Sequence, residues 1–177
     1  MNTLELDERL ILRMANGDRD AFSDLYHQTS SAVYGFALSI LKNQHDAENV
    51  MHDTYIRAYK SAGSYKPMGK PMAWILTIVK NLSYNLLKTG RVSEDITQYE
   101  SLLHVDEGDT AIDRMILAKA FAILEFEERQ IVILHALTGM KHREIAELLD
   151  VPIGTVLSKY NRSLAKMKKE IEGKGVE

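Results

Sequence analysis

The chain has 177 residues, enough for one large domain or two small ones and too few for a large enzyme barrel. Its 22 basic and 25 acidic side chains leave a net charge of −3, so any attraction to nucleic acid has to come from local clustering. The absence of cysteine excludes disulfides and thiolate chemistry and fits a reducing compartment; with no basic start leading into an apolar run, and no stretch near the roughly 18 apolar residues of a membrane span, a cytoplasmic protein without membrane insertion is expected.

Apolar residues recur at spacings of three and four, and only Pro67, Pro71, Pro152 and ten glycines interrupt them, so the expected fold class is all-α. A first helix fits Leu6 to Ala15, closed at Asn16-Gly17, where glycine can take the left-handed conformation. Asp18 can then cap the next segment. That segment, Ala21 to Leu41, carries Phe22, Leu25, Tyr26, Val33, Phe36, Ala37, Ile40 and Leu41. Thr29-Ser30-Ser31 and Gly35 are the expected bends between two packed pieces.

A third helix from Asp46 to about Ala62 buries the stripe Ala47, Val50, Met51, Thr54, Tyr55 and Ala58. Asp46, Glu48, Asn49, His52, Asp53 and Arg57 project away from that stripe. After the loop over 63–70, Pro71 suits the first turn of a fourth helix reaching about Lys88, because its missing N–H would be unpaired there anyway. Ile75, Val79, Leu82 and Leu86 form the inner stripe, with Thr77, Lys80, Asn81, Tyr84 and Lys88 opposite.

From Arg91 onward the composition turns acidic: Glu94, Asp95, Glu100, Asp106, Glu107, Asp109 and Asp113 face a single basic residue, Arg91. This predicts a linker over 91–111 between a helical domain of residues 1–90 and a second of residues 112–177. Ile112, Met115, Ile116, Ala120, Ile123 and Leu124 restart a helical stripe. Another helix runs from Phe126 to Leu137, stopped by Gly139.

Residues 140–171, MKHREIAELLDVPIGTVLSKYNRSLAKMKKEI, have the spacing of a helix-turn-helix: a short helix from His142 to Leu149, a turn over Asp150 to Gly154, and a long helix from Thr155. Ala146 is small where the helices approach, Ile145 and Leu149 point inward, and Asp150 tolerates left-handed geometry. Val156 locks the second helix onto the first. Lys159, Arg162, Lys166, Lys168 and Lys169 follow with no acid between 156 and 169, which selects this helix for DNA. A solvated basic tail would account for the lysines alone; the combination with the turn and the small residue is harder to obtain by chance.

EIAELLDVPIGTV with its basic helix resembles region four of bacterial RNA polymerase sigma factors, in particular the extracytoplasmic-function (ECF) group. DAENVMHDTYIRAYKSAGSY resembles that family's polymerase-binding helix of region two, and PMAWILTIVKNLSYNLLK its minus ten helix. The order, region two, variable linker, region four, is the family's as well.

The resemblance implies a sigma factor that binds core RNA polymerase and directs promoter-specific initiation, melting and reading the minus ten element with region two and reading the minus 35 element with region four. Asp46, Glu48, Asn49, His52, Asp53 and Arg57 would meet polymerase. The loop Ser64 to Lys70, including Tyr65 and Lys66, with Trp74, Lys80, Asn81, Tyr84 and Lys88, would face the single-stranded minus ten element. Thr155, Ser158, Lys159, Asn161, Arg162 and Lys166 would meet duplex at minus 35. Leu157, Asn161 and Leu164 replace residues commoner in the family, Lys141 stands where a Ser or Thr cap is frequent, and Phe126 replaces the usual opening proline. The implied partners are core polymerase, promoter DNA (duplex and single-stranded) and an anti-sigma factor.

No cofactor or metal is expected. His45 and His52, like His135 and His142, are seven residues apart rather than the four that place two imidazoles side by side. No phosphate loop or nucleophile elbow occurs, so the chain is not expected to be an enzyme. The competing readings are a ligand-sensing helix-turn-helix regulator that binds palindromic duplex alone, and an interaction protein that sequesters polymerase.

Overall fold

A single 23-residue helix, Arg19–Leu41, organises the protein. The computed structural model describes residues 5–91 and 111–173, among which every regular element is helical. α1 spans Arg9–Ala15, α2 Arg19–Leu41 and α3 Gln44–Ser61; a 3-10 turn, Ala62–Ser64, leads through a loop to α4, Pro71–Lys88. The second stretch holds α5 (Ala111–Ala122), α6 (Phe126–Thr138), α7 (His142–Leu149) and α8 (Ile153–Glu172). Of the expected acidic linker, residues 92–110 lie outside the described residues.

The first helix begins three residues later than its apolar pattern suggests. Asp7 accepts a hydrogen bond from the Arg9 N–H at 2.9 Å and ends the extended lead-in there, although Leu6 is already buried. Gly17 takes φ +84° at the exit, and Asp18 Oδ1 accepts from the N–H groups of Asp20 and Ala21, the cap expected from sequence.

The expected break in the second segment does not occur: α2 is continuous. Thr29 turns its hydroxyl back onto the Leu25 carbonyl, and Ala32, Val33 and every residue from Gly35 to Leu41 are buried. α1, α3, α4 and α6 all pack against α2, and its C-terminal half from Ala32 to Leu41 is almost wholly enclosed. Tertiary burial outweighs the weak helix propensity of Thr, Ser and Gly. Lys42, with φ 51°, then turns the chain, and Asn43 caps α3 through the Asp46 N–H at 2.9 Å.

α6 packs along α2, so the two sets of helices meet there. The helix-turn-helix forms, with α8 starting at Ile153, two residues before the expected Thr155. Asp150 is left-handed (φ 56°), the Val151 N–H closes onto the Ala146 carbonyl at 3.1 Å, and Ile145 and Val156 are fully buried. Leu148 is more deeply buried than Leu149. Lys141 offers no side-chain cap, but Glu144 reaches back to accept its N–H at 2.8 Å, satisfying one orphan donor at the start of α7.

Candidate polymerase and nucleic-acid interfaces

Three surfaces carry the predicted residues. On α3, Glu48, Asn49, His52, Asp53 and Arg57 are exposed and Asp46 is half-buried in the first turn. Beside them lies an apolar element that sequence reasoning missed: Ile56 and Tyr59, 52% and 49% exposed, line a shallow depression with Phe22, Tyr55, Arg19 and Lys60. The signal was present, since Ile56 follows Asn49 by seven and Asp53 by three and so shares their face. Phe22 meets the Tyr55 and Tyr59 rings edge-on at 6.3 and 5.8 Å, which fixes the floor of the depression.

The second surface comprises α4 and the loop before it. Ile75 and Val79 are fully buried, which aims Thr77 and Asn81 outward. Lys66, Asn81 and Lys88 are exposed, whereas Tyr65 turns inward. Its ring meets half-buried Trp74 at 5.2 Å and its hydroxyl donates to Glu8 Oε2 at 3.1 Å. Burial, reinforced by the Glu8 carboxylate, pushes the Tyr65 phenol up to about 12.

Lys80 and Tyr84 face the second set of helices. Lys80 Nζ donates to the Leu148 carbonyl at 2.6 Å, in the last turn of α7, where the helix dipole favours a cation. Tyr84 Oη donates to Gln130 Oε1 at 3.1 Å, and its ring packs on Phe126 with centroids 6.2 Å apart. Burial raises the pKa of Tyr84. At the edge of the same contact Lys70 pairs with Glu147 at 2.9 Å.

α8 forms the third surface. Ser158, Asn161 and Arg162 are exposed, together with Leu157 and Leu164, and Thr155 is half-buried at the helix start. Two of the predicted cations reach inward to α6. Lys159 Nζ pairs with Glu127 at 2.9 Å, and Lys166 Nζ lies 3.0 and 2.8 Å from the two oxygens of Glu128, whose side chain has no exposed surface. Burial works against the Glu128 carboxylate, but Lys166, the Glu125 N–H at 3.0 Å and the Arg162 charge prevail and hold its pKa below the ordinary value. The basic stripe is therefore partly neutralised from within, a pairing between helices that linear spacing could not reveal.

Under the helix-turn-helix, the His135 and His142 rings stack at 5.0 Å and Tyr160 closes the cluster at 5.0 and 4.7 Å. His135 Nδ1 is engaged with the Met140 carbonyl at 2.9 Å. This is ring packing between α6, α7 and α8. Among the described residues no helix is long and apolar enough to cross a membrane.

Comparison with known proteins agrees with this fold. The Sigma-70 region 2 family model matches residues 25–92 and the Sigma-70, region 4 model residues 114–167. The ECF RNA polymerase sigma factor SigK of Mycobacterium sp. (strain KMS) is 28% identical, over 94% of this chain and 90% of its own. The ECF RNA polymerase sigma-E factor of Haemophilus influenzae is 26% identical, over 94% and 95%. Among solved structures, the sigma factor RpoE from Bartonella quintana, in complex with the anti-sigma factor NepR, shares the fold with a TM-score of 0.70 at 21% identity, covering 85% of this chain and 96% of that one. CnrH in complex with the cytosolic domain of CnrY gives 0.69 at 21% identity, covering 95% and 98%.

Proposed function

This chain belongs to the ECF sigma factors, regulatory proteins that bind RNA polymerase and direct promoter-specific initiation, and we propose that its two helical halves read the two promoter elements separately. Residues 1–90 form the half that docks on core polymerase and takes the minus ten strand; residues 112–177 form the half that takes minus 35 duplex. The observation that carries this is the matching of both sigma regions in one chain, in the family's order, each ending on a surface of suitable chemistry.

The exposed face of α3 supports the docking role. Asp53 and Arg57 offer charges of both signs to a partner helix, and Ile56 and Tyr59 add an apolar anchor, the combination that makes a surface both specific and adhesive. An anti-sigma factor is a further partner, a reading supported by the complex of the Bartonella quintana sigma factor RpoE with the anti-sigma factor NepR. Opening a duplex without ATP needs extruded bases held well enough outside the stack to offset unpairing, a few kcal/mol per base. Lys66, Asn81, Tyr84 and Lys88 supply phosphate donors, an amide edge and a ring. On duplex, Ser158, Asn161 and Arg162 stand at the outer face of α8, with Arg162 suited to a bidentate contact with guanine. Catalysis rests with polymerase.

Lys80 and Tyr84 meet α6 and α7 in this arrangement, so the halves part when the complex forms on a promoter. The test is transcription with purified core polymerase and a promoter library. Defined start sites that depend on this chain, with two separated and asymmetric conserved elements upstream, are expected. Two-fold half-sites bound without polymerase would overturn the proposal.

A further inference from the structure

One carboxylate oxygen ties down both ends of the loop before α4. Glu8 Oε2 accepts from Tyr65 Oη at 3.1 Å and from the Gly69 N–H at 3.0 Å. Gly69 is left-handed (φ +68°), a conformation glycine adopts without strain. Between these two anchors Lys66, Pro67 and Met68 are all exposed, Met68 at 76%, an unbranched apolar side chain standing in solvent at the tip.

Glu8 is itself held. It stands immediately before α1, and its backbone carbonyl accepts from the N–H groups of Ile11 and Leu12 at 3.0 and 3.3 Å. Leu6, Leu10 and Ile11 are buried in the core beside it. A path of packed and hydrogen-bonded groups therefore runs from the core through α1 and the Glu8 carboxylate to the loop. An exposed loop that must grip a base gains selectivity from being ordered beforehand, because it then pays no ordering entropy on contact.

We propose that Glu8 is a positioning residue for minus ten selectivity: it holds Lys66 to Met68 in one conformation toward a base drawn from the open strand, without touching DNA. The inference rests on the reading of this loop as the minus ten reader, and its tests separate the two.

The first test needs no DNA. Trp74 is the chain's one tryptophan and packs on Tyr65, so its emission and its quenching by acrylamide report on the loop. Glu8→Ala raises the quenching rate; Glu8→Gln, whose carbonyl oxygen still accepts from both donors, leaves it at the wild-type value. The second test is selection from a promoter library randomised in both elements, with core polymerase and the full chain. Glu8→Ala flattens minus ten discrimination by about tenfold, the loss expected when the two hydrogen bonds that Glu8 accepts are removed, and leaves minus 35 discrimination and core affinity intact. Glu8→Gln restores it. If Met68→Ala flattens minus ten discrimination while Glu8→Ala does not, the positioning role is wrong and the loop reading stands. If Glu8→Ala loosens Trp74 but neither it nor Met68→Ala alters selection, the loop reading itself is wrong. Equal losses at both elements, or failure of Glu8→Gln to rescue, would overturn the positioning role.

Discussion

Thr29 and Tyr55 join α2 to α3 directly beneath the face assigned to polymerase, and their hydroxyl pair offers a sharp test of how that face is supported. Thr29 Oγ1 spends its one hydrogen on the Leu25 carbonyl at 2.7 Å, so the 2.7 Å contact with Tyr55 Oη is donated by Tyr55. Thr29 has no exposed surface and Tyr55 only 3%. Tyr55→Phe leaves a buried acceptor without its donor, and Thr29→Val leaves a buried phenol without its acceptor; each costs about 1–3 kcal/mol. Replacing both by apolar groups of similar shape removes the mismatch, so the double variant loses at least about 1 kcal/mol less than the sum of the singles. At roughly 2–4 °C per kcal/mol for a chain of this length, each single variant lowers Tm by about 2–12 °C.

The assay is urea unfolding of the full chain followed by helical circular dichroism, with core polymerase affinity measured in parallel. Affinity is expected to stay at the wild-type value, because both hydroxyls lie below the surface. A pH arm sharpens the test. Burial drives the Tyr55 pKa well above the ordinary 10.0. A raised folded-state value means a contribution that is whole below pH 10 and is lost as the pH climbs toward that value. The wild type should therefore lose stability in strong alkali that Tyr55→Phe retains. Strict additivity of the two single substitutions, or lost polymerase binding in a variant of unchanged stability, would refute the reasoning.

Charge reversals separate the two proposed surfaces: Asp53→Arg lowers core affinity at least about tenfold, and Arg162→Glu costs about 1–3 kcal/mol at the minus 35 element alone, checked by core binding and by promoter-library selection. Lys166→Met lowers Tm, and adding Glu128→Gln restores most of the loss, because the penalty lies in stranding a buried carboxylate. Since the Glu128 pKa is depressed below 4.5, the wild-type advantage over the double variant is present above that pH and fades as the pH falls through the folded-state value, which urea midpoints across pH 3 to 7 will show. His142 has its pKa lowered by burial and by His135, so its contribution is present above 6.5 and is lost on acidification; His142→Phe flattens the acid limb of amide-exchange protection in α6 to α8.

Elements with strong local signals were legible in the sequence. Gly139 and Asp150 end their helices in left-handed conformation, Asp18 caps α2, and Pro71 opens α4, because each answers to chemistry within four residues. The unbroken α2 was not legible, since what overrides Gly35 is the packing of helices distant in sequence. The same limit applied to the sites. The polar face of α3 followed from its spacing, whereas the inward turn of Tyr65 depends on Glu8, 57 residues earlier, and the burial of Glu128 depends on Lys166, 38 residues later.

Those long-range pairs share a pattern that bears on mechanism. Lys80 and Tyr84, proposed for the minus ten element, and Lys159 and Lys166, proposed for minus 35, all spend donors on acceptors of α6 and α7. The links between the halves are weak individually: an exposed pair such as Lys70 with Glu147 is worth at most about 1 kcal/mol, and a neutral hydrogen bond such as Tyr84 to Gln130 about as much. The α2 to α6 packing adds apolar contact, so a closed arrangement is favoured in the free chain. Apparent affinity for DNA then scales with the fraction of molecules that are open. If polymerase engages α3 and the second half at separate places, as proposed, it shifts that fraction, and promoter binding then depends on polymerase.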